Sequence, residues 1–346
     1  MSTRTARLES RSTLGVLFLI GLVVLGFSIA LAITIGPANL SVRDVYAVVL
    51  EHWGVGSSGV SRIKDGIVWE LRLPRTLLAA VCGAGLALCG VIMQSLLRNP
   101  LADPFVLGIS SGASTGAVMI AVLGIGGGVI SLSAGAFAGA VVSFGLVMLL
   151  AAGAGGGTSR VVLAGVAGTQ LFSALTSFIV ISSADAEQTR GVLFWLLGSL
   201  AGAGWTDVVL CGAVVAVGIL VCLVQAPALD AFTFGNNAAA TLGIPVQRVR
   251  LLLLTITALI TAALVSAAGA IGFVGLVLPH AARFLVGSRH SRLLPATALI
   301  GAIFMVWVDA IARTAFAPQE IPVGVVTALI GVPAFAVILF RMRRSA

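Results

Sequence analysis

Residues 77–124 read "LLAAVCGAGLALCGVIMQSLLRNPLADPFVLGISSGASTGAVMIAVLG", and this stretch decides the fold. Two apolar runs flank the heptapeptide "RNPLADP" at 98–104. Each run is about 20 residues, the length of a helix that crosses a hydrocarbon core. Proline has no N–H with which to continue a helix, and an aspartate is costly in hydrocarbon. The heptapeptide therefore reads as the turn between two membrane helices. Pro100 and Pro104 stop one helix and start the next, and Asn99 is placed to cap free backbone groups.

The same pattern recurs along the chain. It is 59% hydrophobic and 9% charged with a mean hydropathy of +1.15, whereas soluble domains carry about 25% charged residues. Apolar runs near 14–36, 75–97, 104–123, 129–152, 161–182, 207–226, 249–270, 273–287, 295–314 and 324–340 predict ten spans in one all-α membrane domain over residues 1–346. The first run follows Arg4, Arg7 and Arg11 and imitates a secretory leader, but about 22 apolar residues exceed a usual leader core. We expect it to remain as the first span behind a cytoplasmic tail at 1–13.

Charge orients the spans. With the N-terminus in the cytoplasm, thirteen of the twenty basic residues fall inside and seven outside, while most acids fall outside. The positive-inside rule thus favours an even number of spans with both termini cytoplasmic. The net charge of +8 is spread singly between apolar runs, which fits a membrane better than a nucleic-acid partner. Cys82, Cys89, Cys211 and Cys222 lie within apolar runs, show no CxxC spacing and read as small core residues. Among 42 glycines, Gly112/Gly116 and Gly135/Gly139 have the spacing at which helices approach closely.

Catalytic and metal motifs are missing. "GAGGGTSR" at 153–160 has no Walker lysine, no HExxH or GxSxG occurs, and His52, His280 and His290 form no ligand set. The chain is expected to be no enzyme, with no catalytic residue, no metal site and no cofactor of its own. Asp309 sits within a span with Arg313 four residues on, so the two can neutralise each other on one helix face. A transporter with neither a charge relay nor a nucleotide site draws its energy from a partner. The longest inner loop, 226–247, contains "AAATLG", which predicts a short helix ended by Gly243 with Pro245 beyond.

Several long motifs in fixed order resemble the FecCD/BtuC-type permeases of type II ABC importers. They are residues 71–113, "TSRVVLAGVA" (158–167), "ATLGIP" (240–245), "GAIGFVGLVLPHAARFLVG" (269–287), "DAIAR" (309–313) and "EIPVGVVTALIGVPAF" (320–335). The resemblance implies a second permease subunit, the same or homologous, and two cytoplasmic ATPases that bind ATP and magnesium. It also implies a periplasmic or lipid-anchored binding protein and a bacterial plasma (inner) membrane location. Ferric siderophore is the first expected cargo, with haem or cobalamin as alternatives. An ion-coupled secondary transporter is the rival from another class.

The resemblance also implies residue roles. Arg72, Arg75 and Arg313 would dock acidic residues of the binding protein, unless they anchor the chain at the membrane interface. Asn99, Leu101, Thr158 and Ser159 would lie at the cytoplasmic gate, unless the first two only make a turn. Asn236, Ala239, Leu242, Gly243 and Pro245 would couple to the ATPase. Relatives often carry an acid where this chain has Asn236, so a salt bridge to the ATPase at that point is in doubt.

Overall fold

The structure, a computed structural model, describes residues 11–36, 38, 40–126, 131–183 and 185–345. Most of the expected N-terminal tail, up to residue 10, and the start of the fourth expected span lie outside them. Among the described residues the chain is helical and has no strand. Seven helices are long and apolar enough to cross a membrane, and three shorter apolar helices bring the total to the ten expected.

The centre is α4 (Leu73–Leu96), which is buried along nearly all its length. Around it pack α1 (Arg11–Thr34), α9 (Trp205–Val224), α12 (Val246–Ala268), α13 (Val274–Val286) and α14 (His290–Thr314). A second group, α5 (Ile109–Ala121), α6 (Leu132–Gly153) and α7 (Thr158–Ser183), packs on the other side of α12. The last helix, α15, spans Val323–Ser345 and lies against α13 and α14.

Small residues set these contacts. A Cβ on Gly83 of α4 would collide with the Gly301 carbonyl of α14, and one on Gly301 with the Gly83 carbonyl. Gly112 and Gly116 of α5 meet Gly139 and Gly135 of α6 in the same way, as their spacing predicted. Without a hydrophobic force between helices in lipid, such close approach supplies dispersion contact. All four cysteines are buried.

Four elements had no counterpart in the ten-span reading. An amphipathic helix, α2 (Val42–His52), begins with a Ser41/Asp44 capping box and buries Val45 and Val48. The short α3 (Arg62–Gly66) leads into a π-helical segment, Ile67–Arg72, which runs straight into α4. Pro74 is the second residue of α4. It has no N–H to give and crowds the carbonyl four residues back, and a widened turn relieves that crowding. Finally, α8 (Ala186–Leu196), started by an Asp185/Gln188 capping box, stands between α7 and α9.

Candidate sites at the two ends of the bundle

One end of the bundle holds Arg72, Arg75 and Arg313. The structure brings them together and gives each a partner within the chain. α1 ends here, and the last carbonyls of a helix have no partner of their own. Arg72 NH1 donates to the Ile33 carbonyl at 2.6 Å, and Arg313 NH2 to the Ala32 carbonyl at 2.7 Å. Two guanidinium groups thus close the negative end of the α1 dipole. Arg75 donates from Nε to Asp309 Oδ1 at 2.8 Å and from NH1 to Glu320 Oε2 at 2.9 Å. Asp309 is 1% exposed and Glu320 34%. The expected Asp309–Arg313 pair is therefore corrected: the rotation of α14 aims Asp309 at α4 and Arg313 at α1. Arg72 and Arg75 are buried.

Broken backbone gathers at the same end and satisfies itself. The Val323 and Gly324 N–H groups donate to the Gly198 and Leu197 carbonyls at 2.8 and 3.0 Å, and Ser199 N–H to the Ala268 carbonyl at 2.8 Å. Non-helical backbone at membrane depth is tolerated where protein covers it.

The opposite end holds the 97–108 turn. Asn99 Oδ1 accepts the Leu101 N–H and Asp103 Oδ1 the Phe105 N–H, both at 2.9 Å. Asp103 so caps a 3₁₀ turn, Pro104–Leu107, that ends at Gly108 with φ +71°. His280 Nε2 meets the Pro100 carbonyl at 2.9 Å, and Ser143 Oγ donates to the Gly108 carbonyl at 2.7 Å. Burial pushes the Asp103 carboxyl up to about 6, against the lowering effect of the Phe105 N–H. Leu101 is exposed.

Thr158 and Ser159 open α7 at this end. The turn meets α7 further along, where Gly165 lies against the Val106 carbonyl. Among the described residues no hydrogen bond joins Asn99 or Leu101 to Thr158 or Ser159. Nothing in the sequence pointed to His280 or Ser143, because their partners are backbone carbonyls remote along the chain.

The 226–247 loop is a helical hairpin, α10 (Ala226–Phe232) and α11 (Asn236–Thr241), where one short helix was expected. The Ile244 N–H reaches the Ala239 carbonyl at 3.1 Å and the Gly243 N–H the Ala240 carbonyl at 2.9 Å. This is a Schellman closure, and it needs the left-handed residue that Gly243 supplies at φ +79°. Ala239 is buried, Leu242 and Phe234 project, and Pro245 starts α12. Asn236 Oδ1 accepts from Arg250 NH2 at 2.7 Å, so this position is tied to its own chain.

Ten apolar helices among the described residues, with a hairpin and a polar turn at one end and buried ion pairs at the other, define a polytopic membrane protein. The chain belongs to the FecCD transport family, whose model matches residues 22–341. An ABC transporter permease from Bacillus subtilis strain 168, YvrB, is 37% identical over 98% of this chain and 97% of the relative. A cobalamin import system permease from Halobacterium salinarum, BtuC, is 44% identical over 81% of this chain and 75% of the relative. A solved structure described as an inward-facing conformation of a metal-chelate type ABC transporter matches at a TM-score of 0.82 with 30% identity. That match covers 94% of this chain and 99% of the other. The chain is thus an ABC importer permease, a multi-pass transport component without catalytic activity of its own. An importer permease works with an ATPase and a binding protein.

Proposed function

We propose that the chain forms, as a single domain over residues 1–346, half of the path by which a bacterial inner membrane imports a metal chelate. The turn end faces the cytoplasm with both termini, and the arginine end faces outward. The single observation that carries this is the Schellman-closed α10–α11 hairpin, which projects Phe234 and Leu242 at the same end as the 97–108 turn. The hairpin docks a separate ATPase that binds ATP and magnesium: Phe234 and Leu242 present the contact, while Asn236, the buried Ala239, Gly243 and Pro245 hold its shape. Asn99, Leu101, Thr158 and Ser159 border the cytoplasmic gate, and a second permease subunit completes the path.

At the outer end Arg72, Arg75 and Arg313 set the shape and charge that the binding protein meets. An acidic residue of that protein would displace the half-exposed Glu320 from Arg75 rather than find a free guanidinium.

For cargo, relatives named for cobalamin import at up to 44% identity favour a corrinoid. The ferric siderophore expected from family frequency is the second reading, and the metal-chelate neighbour fits both. Uptake by proteoliposomes holding the permease, its ATPase and its binding protein tests this. We expect ATP-dependent accumulation of cyanocobalamin that excess ferric siderophore does not compete away. Competition by the siderophore alone would reverse the cargo order. Robust ATP hydrolysis by the pure chain would overturn the permease reading itself.

A further inference from the structure

Three polar side chains lie along one line at the turn end, and the roles above use none of them. His290 is the first residue of α14, Asp230 lies in α10, and Ser95 lies in the last turn of α4. Asp230 Oδ1 accepts the His290 backbone N–H at 2.9 Å and meets His290 Nδ1 at 2.7 Å. His290 Nε2 meets Ser95 Oγ at 2.6 Å. A carboxylate at Nδ1 places the ring proton there, so in the neutral ring Nε2 accepts and the Ser95 hydroxyl donates. Ser95 and His290 are buried, while Asp230 is half-exposed at the wall of a cleft of ≈ 690 Å³.

The order Ser–His–Asp is that of a hydrolase, but the placement is not. Ser95 sits at the negative end of the α4 dipole, which would repel an oxyanion rather than hold one. The line instead crosses three elements. At one end is the hairpin read as the ATPase dock, and at the other is the helix that runs directly into the 97–108 turn. Gln94, next to Ser95, reinforces that attachment. It donates to the Gly275 and Leu276 carbonyls of α13 at 3.3 and 3.2 Å and accepts from Arg283 at 2.7 Å.

We propose that Asp230, His290 and Ser95 are positioning residues that carry displacement of the α10–α11 hairpin into the end of α4 and the gate turn. This rests on the ATPase-docking reading of the hairpin. The remaining contacts of α10 with α4 and α14 are made largely by apolar and small side chains, which can slide past one another. A short line of directional bonds cannot slide. When α10 moves, it either breaks the line or draws α14 and α4 with it.

The test uses the full complex of permease, ATPase and binding protein in lipid, with ATP and Mg²⁺ as the probe. The four native cysteines are buried, so single cysteines placed at the exposed Asn237 and Leu101 take spin labels selectively. In the wild type we expect both labels to change on adding nucleotide. In Ser95→Ala the change at 237 should persist, while that at 101 falls at least threefold. Ser95→Thr, which keeps the hydroxyl, should restore it. His290→Phe should behave as Ser95→Ala does, and if it does not fold, Ser95→Ala decides. An unchanged response at 101 in Ser95→Ala, or an equal loss at both labels, overturns the link. If the wild type responds at neither label, the docking reading fails first.

Discussion

The two ends of the bundle solve the same problem in opposite ways. At each, helices stop and backbone groups need partners. At the arginine end the chain supplies them all from within: Arg72 and Arg313 close α1, Arg75 joins Asp309 and Glu320, and the breaks near Gly198, Ala268 and Gly324 bond to one another. At the turn end local caps on Asn99 and Asp103 combine with single remote bonds, from His280 to the Pro100 carbonyl and from Ser143 to the Gly108 carbonyl, and Leu101, Phe234 and Leu242 stay exposed. Buried ion pairs make a rigid end, whereas turns capped locally and held by single remote bonds can move together as units. The difference fits a subunit that keeps its shape on one side and is pushed on the other.

The largest expected effect breaks the closed end. Removing one partner of a buried ion pair strands the other charge and costs about 3–5 kcal/mol. Asp309→Leu should therefore lower thermal stability sharply, with little correctly folded protein recovered. The double variant Asp309→Leu/Arg75→Met should regain much of it, since a buried pair can often be exchanged for apolar residues. A stable single variant would show that the closure at this end is dispensable.

At the open end the strongest lesion is Gly243→Val. A β-branched residue at φ +79° strains the backbone by about 1–2 kcal/mol or more. That should weaken ATPase docking about tenfold, as 1.4 kcal/mol does, while the permease folds normally. Wild-type affinity for the ATPase in that variant would remove the hairpin from the docking surface.

A smaller effect lies at the outer surface. Glu320→Gln should weaken the hold on one side of Arg75 and raise binding-protein affinity about threefold, a change of about 0.7 kcal/mol, since Glu320 is the partly exposed partner of the pair. The gain should fade at high salt. The double reversal Arg72→Glu/Arg75→Glu should abolish docking, but it also unmakes the closure, so Glu320→Gln is the cleaner probe. If affinity is unchanged there, Arg75 takes no part in docking.

What was legible follows from the same contrast. The ten apolar helices could be read because each is a local run, and Gly112/Gly116 and Gly135/Gly139 because packing in lipid has a local period. Gly243 was legible because a Schellman end is written within six residues. Asp309 was assigned its nearest basic neighbour in sequence, Arg313, yet its partner lies 234 residues away. The Ser95–His290 bond spans 195. Neither separation leaves a periodic trace. The elements α2, α3 and α8 went unread because they are too short or too polar to pass as spans, and the Ser41/Asp44 and Asp185/Gln188 capping boxes stood in stretches read as loops.

The smallest effect separates the ends by pH. The Asp103 carboxyl, raised from 3.8 to about 6 by burial, belongs to the open end. Between those values the folded chain holds this proton and the unfolded chain does not. Stability from this group is therefore greatest at or below about pH 4, falls as the pH rises through 6, and is level above that. A rise of that size corresponds to at most about 3 kcal/mol, and partial exposure brings it nearer to about 1 kcal/mol. Asp103→Asn keeps an acceptor for the Phe105 N–H without the charge. Its melting temperature should match the wild type near pH 4 and exceed it slightly at pH 7, flattening the profile between. Because the 97–108 turn keeps its caps and its bonds to His280 and Ser143, uptake at pH 7 should be unchanged. Parallel melting profiles for the two chains would show that Asp103 titrates as an ordinary carboxylate. A loss of uptake in the Asn variant would show that its charge, and not only its capping bond, serves the gate.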